Sequence, residues 1–518
     1  MAKKETPAKG KPAAKAKGKG KAEEPVKAKP VKNAKAAKLR KDEDDEPKKK
    51  KMGFDVNALI HSTLNEVAKR QGIVASGLDV SPPVSSGMLM VDLVLGGGMR
   101  PGMLTAAAEE QCAKTTLALT GLAAAVKKNI PFLAMVDYEG STKSAKRYVH
   151  EIFKGQGVKL KMNEIFGKEG ATGGWEIQPR VQYINMAILE HFYEWLAAIL
   201  RELPDKRFLL NKWWYVFEDN KKNKARVGSD VDAKMTKMYG GGLWVEAPDG
   251  NPQGIIVLDS YTAMNPEAKD EEDISNQLSV KASAFSKQLE RVKGRMLQKM
   301  ILIYGLNHLR DNPMAMFGPK VTEKGGKALQ QFSDVRLRQT SRAVSAAPFK
   351  ALETCKTTFN ELERSVEFKG KDTYRYVHVK AVKNKHWTPN RECFMRIWVE
   401  DAAGVARGLD PVFDTISYLK ETGQLSGGKS RKGFKLDLNG LGKAKVAIDW
   451  TDLKKWIVGD KEAMTTISKM LGYKPMSLRA YCFKQMEKGV AETLYIEYQT
   501  NKGSDKSDDD EDDDGDDE

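Results

Sequence analysis

The sequence predicts an α/β protein built around a mostly parallel sheet. Short apolar runs of strand length, at residues 130–136, 255–258 and 300–304, alternate with longer segments whose apolar residues recur at helical spacing. This alternation is typical of βαβ units, in which a helix crosses between two parallel strands. With 518 residues and 41% hydrophobic content, the chain can bury one large core and a second, smaller one.

Changes in composition divide the chain into five regions. We predict a disordered basic tail at residues 1–52, a helical arm and linker at 53–84, the α/β core at 85–400, a small α+β domain at 401–500 and a disordered acidic tail at 501–518. Apolar residues at helical spacing in 54–71 predict the arm helix, and Pro82 and Pro83 separate it from the core. Residues 204–252 do not fit the alternation, and we expect an inserted hairpin or small subdomain there.

The charge distribution favours a polyanionic partner. Residues 1–52 carry a net charge of +11 and residues 501–518 carry −9, so with +16 overall the body between them has +14. A basic body suits binding to nucleic acid, although a Lys-rich soluble surface would give the same count.

Cysteine usage and hydropathy exclude several classes of protein. The four cysteines form no C-x-x-C pair, which fits a reducing compartment and provides neither a zinc site nor a disulfide framework. No run reaches the roughly 18–20 consecutive apolar residues that a membrane helix needs. The N-terminus also lacks the apolar segment of a secretory signal. We therefore expect a cytoplasmic protein with no membrane partner.

Residues 103–118 have the layout of a phosphate-binding loop between a buried strand and a helix. The consensus is G-x-x-x-x-G-K-[ST], and residues 108–115 read AEEQCAKT, with alanine in place of both glycines. The lysine would neutralise phosphate oxygens, the threonine hydroxyl would bind Mg²⁺, and N–H groups at the helix start would surround the anion. Alone the motif is weak, since many ordinary helices begin with similar letters. The predicted nucleotide contacts are Ala108, Glu109, Glu110, Gln111, Cys112, Ala113, Lys114, Thr115 and Thr116.

Two acidic residues at strand ends complete the predicted nucleotide site. Asp259 follows the apolar run 255–258, where a phosphate-loop ATPase holds Mg²⁺, and with Thr115 it forms the predicted metal site. Glu139 follows the run 130–136 and could orient and deprotonate the attacking water. Either acid could instead cap a helix, but in this order along the chain they favour ATP and Mg²⁺ as cofactors.

Three segments resemble bacterial RecA recombinases. Residues 308–336 are similar to the second DNA-binding loop of that family and its flanking strand, and read HLRDNPMAMFGPKVTEKGGKALQQFSDVR without a gap. Residues 382–385 (VKNK) match a motif at the subunit interface, and 85–98 (SSGMLMVDLVLGGG) match the strand and turn that lead into the core. The similarity covers roughly residues 54–458, apart from 204–252 and a second insert at 345–364.

The resemblance implies a RecA-type P-loop ATPase core and a role for each matching residue. Glu139 would be the catalytic base, with Lys114 at the phosphates and His308 in place of a glutamine that senses the γ-phosphate. Lys383 and Lys385 would reach the ATP of the adjacent subunit, on which the N-terminal helical arm would dock. The implied DNA-binding residues are Arg310, Met316, Phe317, Lys324, Gly325, Gly326 and Lys327.

The implied function is ATP-dependent homologous recombination. Such a protein, a DNA-dependent ATPase, forms a helical homo-oligomeric filament on single-stranded DNA and pairs it with homologous double-stranded DNA. It would be associated with the nucleoid, or act in the host cytoplasm if a phage encodes it. The two alanines leave open another hypothesis, a DNA-coating, nucleoid-organising protein with a RecA fold and weak or no ATPase activity. A hexameric helicase is disfavoured by the arm and by the gapless loop match.

Overall fold

The structure is a computed structural model, and the residues it describes belong to one unit within residues 60–518. The basic tail, the arm helix at 54–71 and the insert at 345–364, all predicted from the sequence, lie outside the described residues. The described ranges are 82–110, 112–140, 145–209, 211–227, 242–247, 249–267, 277–311, 321–323, 326–341, 373–400, 408–427, 434–438, 446–471 and 474–504.

Helices of the described residues are numbered in chain order. They are α1 (Leu89–Leu95), α2 (Lys114–Lys127), α3 (Lys146–Gly155), α4 (Met162–Phe166), α5 (Leu189–Glu202), α6 (Lys221–Val227), α7 (Gln277–Gln298), α8 (Gly326–Phe332), α9 (Pro411–Glu421), α10 (Trp450–Val458), α11 (Lys461–Leu471), α12 (Leu478–Glu487) and α13 (Val490–Ser504).

Strands are numbered in the same way. They are β1 (Gly102–Ala108), β2 (Phe132–Asp137), β3 (Lys168–Glu169), β4 (Trp175–Ile177), β5 (Gln182–Asn185), β6 (Asp205–Leu209), β7 (Lys212–Glu218), β8 (Gly242–Ala247), β9 (Gly254–Asp259), β10 (Ile301–Asp311), β11 (Val321–Glu323), β12 (Val335–Ser341), β13 (Thr373–Asn384), β14 (Glu392–Glu400), β15 (Gly408–Leu409), β16 (Leu425–Gly427), β17 (Phe434–Leu436) and β18 (Val446–Ile448).

One ten-stranded sheet organises the described residues. Its order is β15-β14-β13-β12-β1-β10-β9-β2-β5, and β11 pairs with β10 off this path. The strands from β12 to β5 run parallel, and β13, β14 and β15 extend one edge in antiparallel pairing. The predicted fold class, α/β with a mostly parallel sheet, is confirmed.

Helices cover both faces of the central strands, which explains why β1 and β9 are buried along their whole length. One face packs against α1, α2 and α3, and the other packs against α5, α7 and α8. Helices α9, α10 and α12 of the C-terminal region belong to the same buried cluster as the first face. Packing therefore joins the predicted C-terminal domain to the core. No helix of the described residues is long and apolar enough to cross a membrane.

The unassigned stretch at residues 204–252 contains a small antiparallel sheet. Strands β6, β7 and β8 pair in that order, and α6 follows β7. Trp214 and Trp244 are 3% exposed, so these two aromatics belong to a local core and do not offer an open stacking surface.

Three local predictions need correction. Residues 326–332, expected to be loop, form α8, because Ala328 and Leu329 bury an apolar side against the second face of the sheet. Residues 89–95, part of the segment 85–98 that was matched to a strand and turn, form the helix α1. The hairpin that the sequence predicts between residues 365–368 and 374–382 falls partly outside the described residues and stays a prediction. Finally, α13 continues to Ser504, so the first residues predicted as acidic tail are helical.

Strand register brings four strand ends to one edge of the sheet. Ala108 at the end of β1 lies opposite His308 of β10, and Asp137 at the end of β2 lies opposite Asp259 of β9. In open parallel sheets, ligands bind outside the carboxyl ends of the strands. The polar residues that follow these strands are therefore the candidate site.

Candidate nucleotide-binding site

The segment between β1 and α2, which matches the phosphate-loop consensus apart from its glycines, contains no glycine. Ala113, immediately before α2, adopts the left-handed conformation with φ 56° and ψ 31°. Glycine reaches this region freely, whereas an L-residue pays roughly 1–2 kcal/mol there. Ala108 is buried in the regular end of β1, where glycine is not required. Of the predicted contacts in this loop, Gln111 is outside the described residues.

Lys114 and Thr115, the first residues of α2, both engage neighbouring strand ends. The Nζ of Lys114 lies 3.1 Å from His308 Nδ1 and 3.4 Å from the Ala108 carbonyl oxygen. Burial lowers the pKa of Lys114, and the negative charges of Asp259 and Glu139 partly oppose this effect. The Thr115 hydroxyl donates to Asp259 Oδ2 at 2.8 Å. Strands β9 and β10 thus orient both side chains that the motif assigns to phosphate and metal.

Asp259 has the chemistry expected of a Mg²⁺ ligand. Burial raises its pKa to about 6, and the nearby charges of Glu139 and Asp137 contribute in the same direction. Mg²⁺ prefers oxygen ligands and is usually bound by one or two carboxylates together with substrate phosphates. Asp259 supplies one carboxylate and Thr115 a neighbouring hydroxyl oxygen. Among the described residues, no group of three or more His, Cys, Asp or Glu side chains could hold a metal by itself.

Glu139 is held by two hydrogen-bonding partners. Its Oε1 accepts from the Ser260 hydroxyl at 2.5 Å and lies 3.0 Å from His308 Nε2. The contact with His308 is the main cause that lowers the pKa of Glu139 to about 2, against the opposing effect of burial. The carboxylate is therefore ionised at neutral pH but a weak base, because proton uptake would break these bonds.

His308 connects the lysine to the glutamate. Lys114 is an ammonium with no acceptor capacity, so Nδ1 of His308 must accept from it, and the Nε2–H then donates to Glu139. The backbone N–H of His308 donates to Thr262 Oγ1 at 3.2 Å and to Asn307 Oδ1 at 2.9 Å, which fixes its place on β10. The order Lys114, His308, Glu139 is one continuous hydrogen-bonded path.

Comparison with known proteins finds similarity to the RecA family. A model of the RecA N-terminal domain family matches residues 249–402. RecA of Bacteroides thetaiotaomicron is 30% identical over 128 residues, covering 22% of this chain and 36% of that protein. RecA of Thermus aquaticus is 29% identical over 194 residues, covering 37% of this chain and 49% of that protein. The resemblance to the RecA family is confirmed.

The match to the RecA family is partial. The chain spans half or less of the length of both relatives, and the stretch matched by the family model includes Asp259 and His308 but begins after Lys114 and Glu139. A crystal structure of the RadB recombinase aligns at 15% identity with a TM-score of 0.34, covering 63% of this chain and 98% of that chain. With so low a TM-score it adds nothing to the fold assignment, which depends on the sheet order.

Lys383 and Lys385, implied by the RecA resemblance, lie away from the phosphate loop of their own chain. The pairing of β13 with β12, and of β12 with β1, places Lys383 at the level of Thr105. Its Nζ contacts the carbonyl oxygens of Gln330 at 2.8 Å and Gln331 at 3.0 Å. Lys385 lies still nearer the amino end of β1. Neither lysine joins the path from Lys114 to Glu139.

The candidate DNA-binding residues are described only in part. Arg310 lies on β10, Gly326 begins α8, and Lys327 on α8 is exposed. Strand β10 continues past His308 to Asp311, where it pairs with β11, and Glu323 of β11 forms a 2.6 Å ion pair with Arg336. The remaining predicted residues, Met316, Phe317, Lys324 and Gly325, are outside the described residues.

Sequence reasoning missed several side chains that support the site. Ser260 holds Glu139, the Tyr183 hydroxyl donates to Asp137, and Tyr148 on α3 is 2.6 Å from the Thr116 hydroxyl. Asp137 in turn accepts from the backbone N–H of Glu139 at 3.0 Å. The available signal for Ser260 and Asp137 was a polar residue at or directly after the end of a buried strand. Nothing in the sequence marks Tyr148 or Tyr183.

We predict that Ala113→Gly and Ala108→Gly change stability in opposite directions. Ala113→Gly relieves left-handed strain of roughly 1–2 kcal/mol, and glycine costs roughly 0.5–1 kcal/mol through chain entropy, so the free energy of unfolding should rise by up to about 1.5 kcal/mol. Ala108→Gly relieves no strain and should lower it by about 1 kcal/mol. Denaturant unfolding of both variants measures the change. A change of the same sign in the free energy of unfolding of both variants would contradict strain at Ala113.

We also predict that Mg²⁺-dependent ATP binding weakens as the pH falls through about 6. Asp259 then takes up a proton and loses the negative charge that attracts the metal, whereas Glu139 stays ionised. Calorimetric titration from pH 5 to 8 measures the change. Asp259→Asn is the control, because protonation of ATP itself continues in that variant. An equal pH dependence in both proteins would exclude Asp259 as the titrating ligand.

Proposed function

We propose that the protein is an ATP-dependent homologous recombination protein. It assembles as a filament on single-stranded DNA and promotes pairing and strand exchange with homologous double-stranded DNA. The observation that carries this proposal is the placement of His308, which contacts both Lys114 and Glu139 and lies three residues before the end of β10. One strand thus joins the nucleotide site to residues 312–320, part of the segment that resembles the DNA-binding loop of RecA.

The site supports a switch in which nucleotide and DNA act on the same strand. Lys114 is the cation closest to the helix start, so it is the side chain that turns to the β/γ-phosphates when ATP binds. His308 Nδ1 then loses its donor, and after taking up a proton from solvent it can donate to the γ-phosphate. Any movement of His308 is transmitted along β10 to Leu309 and Arg310. A displacement of the DNA segment reaches His308 by the same route.

Hydrolysis requires Glu139 to be released from its present contacts. With Ser260 and His308 bound to it, Glu139 is too weak a base to assist the attack of water. A change in the contact with His308 raises its basicity at the moment that ATP and DNA are both engaged. Mg²⁺, held by Thr115 and Asp259, would stabilise charge on the phosphates. This arrangement makes hydrolysis dependent on DNA.

Lys383 and Lys385 lie toward the end of the sheet opposite the phosphate loop, and this placement favours head-to-tail assembly. Lys383 and Lys385 cannot serve the phosphate loop of their own chain, but in a stack of subunits the amino end of one sheet faces the carboxyl end of the next. Each nucleotide would then lie between two subunits and receive these lysines from the neighbour. Repetition of this heterologous contact gives an open helical filament.

Charge supports the proposed DNA partner. The body of the chain, residues 53–500, carries +14, and binding of this kind depends on the phosphate backbone and is sequence-independent. Base pairing between the bound strand and the duplex would supply the sequence discrimination. Electron microscopy with ATP and single-stranded DNA, followed by a strand-exchange assay, tests the function. DNA-bound filaments without ATPase activity or strand exchange would instead support the DNA-coating protein.

We expect Lys114→Ala and Glu139→Gln to separate assembly from hydrolysis. Without Lys114 the loop lacks its phosphate cation, so ATP-dependent filament formation should be lost. Glu139→Gln keeps the binding groups and removes the base, so filaments should persist while hydrolysis falls by about 10²-fold or more. The measurements are light scattering for assembly and phosphate release for hydrolysis. Normal hydrolysis in either variant would refute the assigned roles.

A mixing experiment tests whether the site is shared between subunits. The double variant Lys383→Ala/Lys385→Ala should lose DNA-stimulated ATPase activity while keeping the melting temperature of the parent chain within a few degrees. Mixed with Lys114→Ala, it should regain part of the activity, because an intact loop then meets intact lysines at some interfaces. No recovery at any mixing ratio would indicate that each site is complete within one chain.

A further inference from the structure

Asp334 is the acidic centre of the lysine-bearing end of the sheet. It lies between α8 and β12, and its side chain is 9% exposed. Its Oδ2 accepts from the backbone N–H of Met103 at 3.1 Å, and its own N–H donates to the Met103 carbonyl oxygen at 2.8 Å. Gly102 permits this approach, because a Cβ there would lie 2.6 Å from Oδ2. The carboxylate is thus fixed to the start of β1.

The other oxygen of Asp334 faces two lysines. Oδ1 lies 2.9 Å from Lys293 Nζ and 3.3 Å from Lys385 Nζ. Burial acts to raise the pKa of Asp334, but the hydrogen bonds and charges of its partners, Lys293 first, lower it below the ordinary value. The residue is therefore a carboxylate with two cations competing for one oxygen.

The two lysines differ in how firmly they are held. The side chain of Lys293 is 21% exposed and also donates to the Phe332 carbonyl oxygen, whereas that of Lys385 is 49% exposed and has Asp334 as its one ion-pair partner among the described residues. If Lys385 leaves, Asp334 keeps Lys293 and the Met103 N–H. Release of Lys385 therefore leaves no buried charge without a partner. A partly exposed pair of this kind contributes only about 0–1 kcal/mol to the free energy of unfolding.

We propose that Asp334 is a positioning residue that holds Lys385 in the isolated subunit and releases it to the nucleotide of the neighbouring subunit. This inference rests on the cross-subunit site under Proposed function and adds its regulation. Lys383 is hydrogen-bonded to neutral carbonyl oxygens of α8 and is affected by Asp334 only through its charge, whereas Lys385 contacts the carboxylate directly. A triphosphate carries more negative charge than one carboxylate and displaces it, so assembly requires enough ATP to overcome this pair.

Two substitutions around the same carboxylate should have opposite effects. Asp334→Asn keeps the shape and an acceptor for Met103 but removes the charge that holds Lys385. The ATP concentration for half-maximal filament assembly should fall, by about two- to fivefold for a pair of this exposure. Lys293→Met removes the competing cation, so Asp334 holds Lys385 more firmly and the ATP requirement should rise. Thermal unfolding should show some loss of stability in both.

The opposite shifts distinguish positioning from a purely structural role. Loss of stability alone would move both variants in the same direction, and that outcome would overturn the proposal. In a Lys385→Ala background, Asp334→Asn should have no further effect on the ATP requirement, and a persistent effect would also overturn it. Should Asp334→Asn fail to fold, Lys293→Met with and without Lys385→Ala gives the same test.

The proposed function and this inference fail in different ways. If the parent chain shows no ATP-dependent assembly, or Lys385→Ala does not alter it, the cross-subunit site is wrong. If both behave as expected but Asp334→Asn leaves the ATP requirement unchanged, only the role of Asp334 is wrong.

Discussion

The parallel pairing of β1 with β10 is the constraint on which the candidate site depends. Its register sets Ala108 opposite His308 and so brings the Nζ of Lys114 within 3.1 Å of His308 Nδ1. A shift of one residue would turn His308 to the other face of the sheet, because strand side chains alternate. Lys114 would then lose its partner, Glu139 would lose its main hydrogen bond, and the path from loop to strand would be broken.

The sequence predicted those features that local pattern encodes. Lys114 and Thr115 stand at a helix start, and Asp259 and Glu139 stand at or just past the end of a strand. The resemblance to the RecA family supplied His308. The sequence could not predict the contact between Lys114 and His308, which joins residues 194 positions apart. Nor could it predict α8, since a helix of seven residues is stabilised by tertiary packing and hardly at all by its own propensity.

Alanine stands at both positions where the phosphate-loop consensus has glycine. Ala113 adopts a left-handed conformation, which glycine at the same position would reach without strain. Packing of α2, whose residues from Thr116 to Val126 are largely buried against the sheet, stabilises the fold around this residue. A motif search that requires glycine at both places misses such a loop, whereas the flanking strand and helix still reveal it.

The separation of the phosphate loop from Lys383 and Lys385 has a consequence for small assemblies. If subunits stack head to tail, the subunit at one end of the row has a phosphate loop with no neighbouring Lys383 and Lys385. The subunit at the other end has these lysines but no neighbouring phosphate loop. A single subunit then contains no complete site, a pair contains one, and the turnover per subunit rises with length toward a limit. The two ends are also chemically different, so subunits would join and leave them at unequal rates, and growth would have a direction.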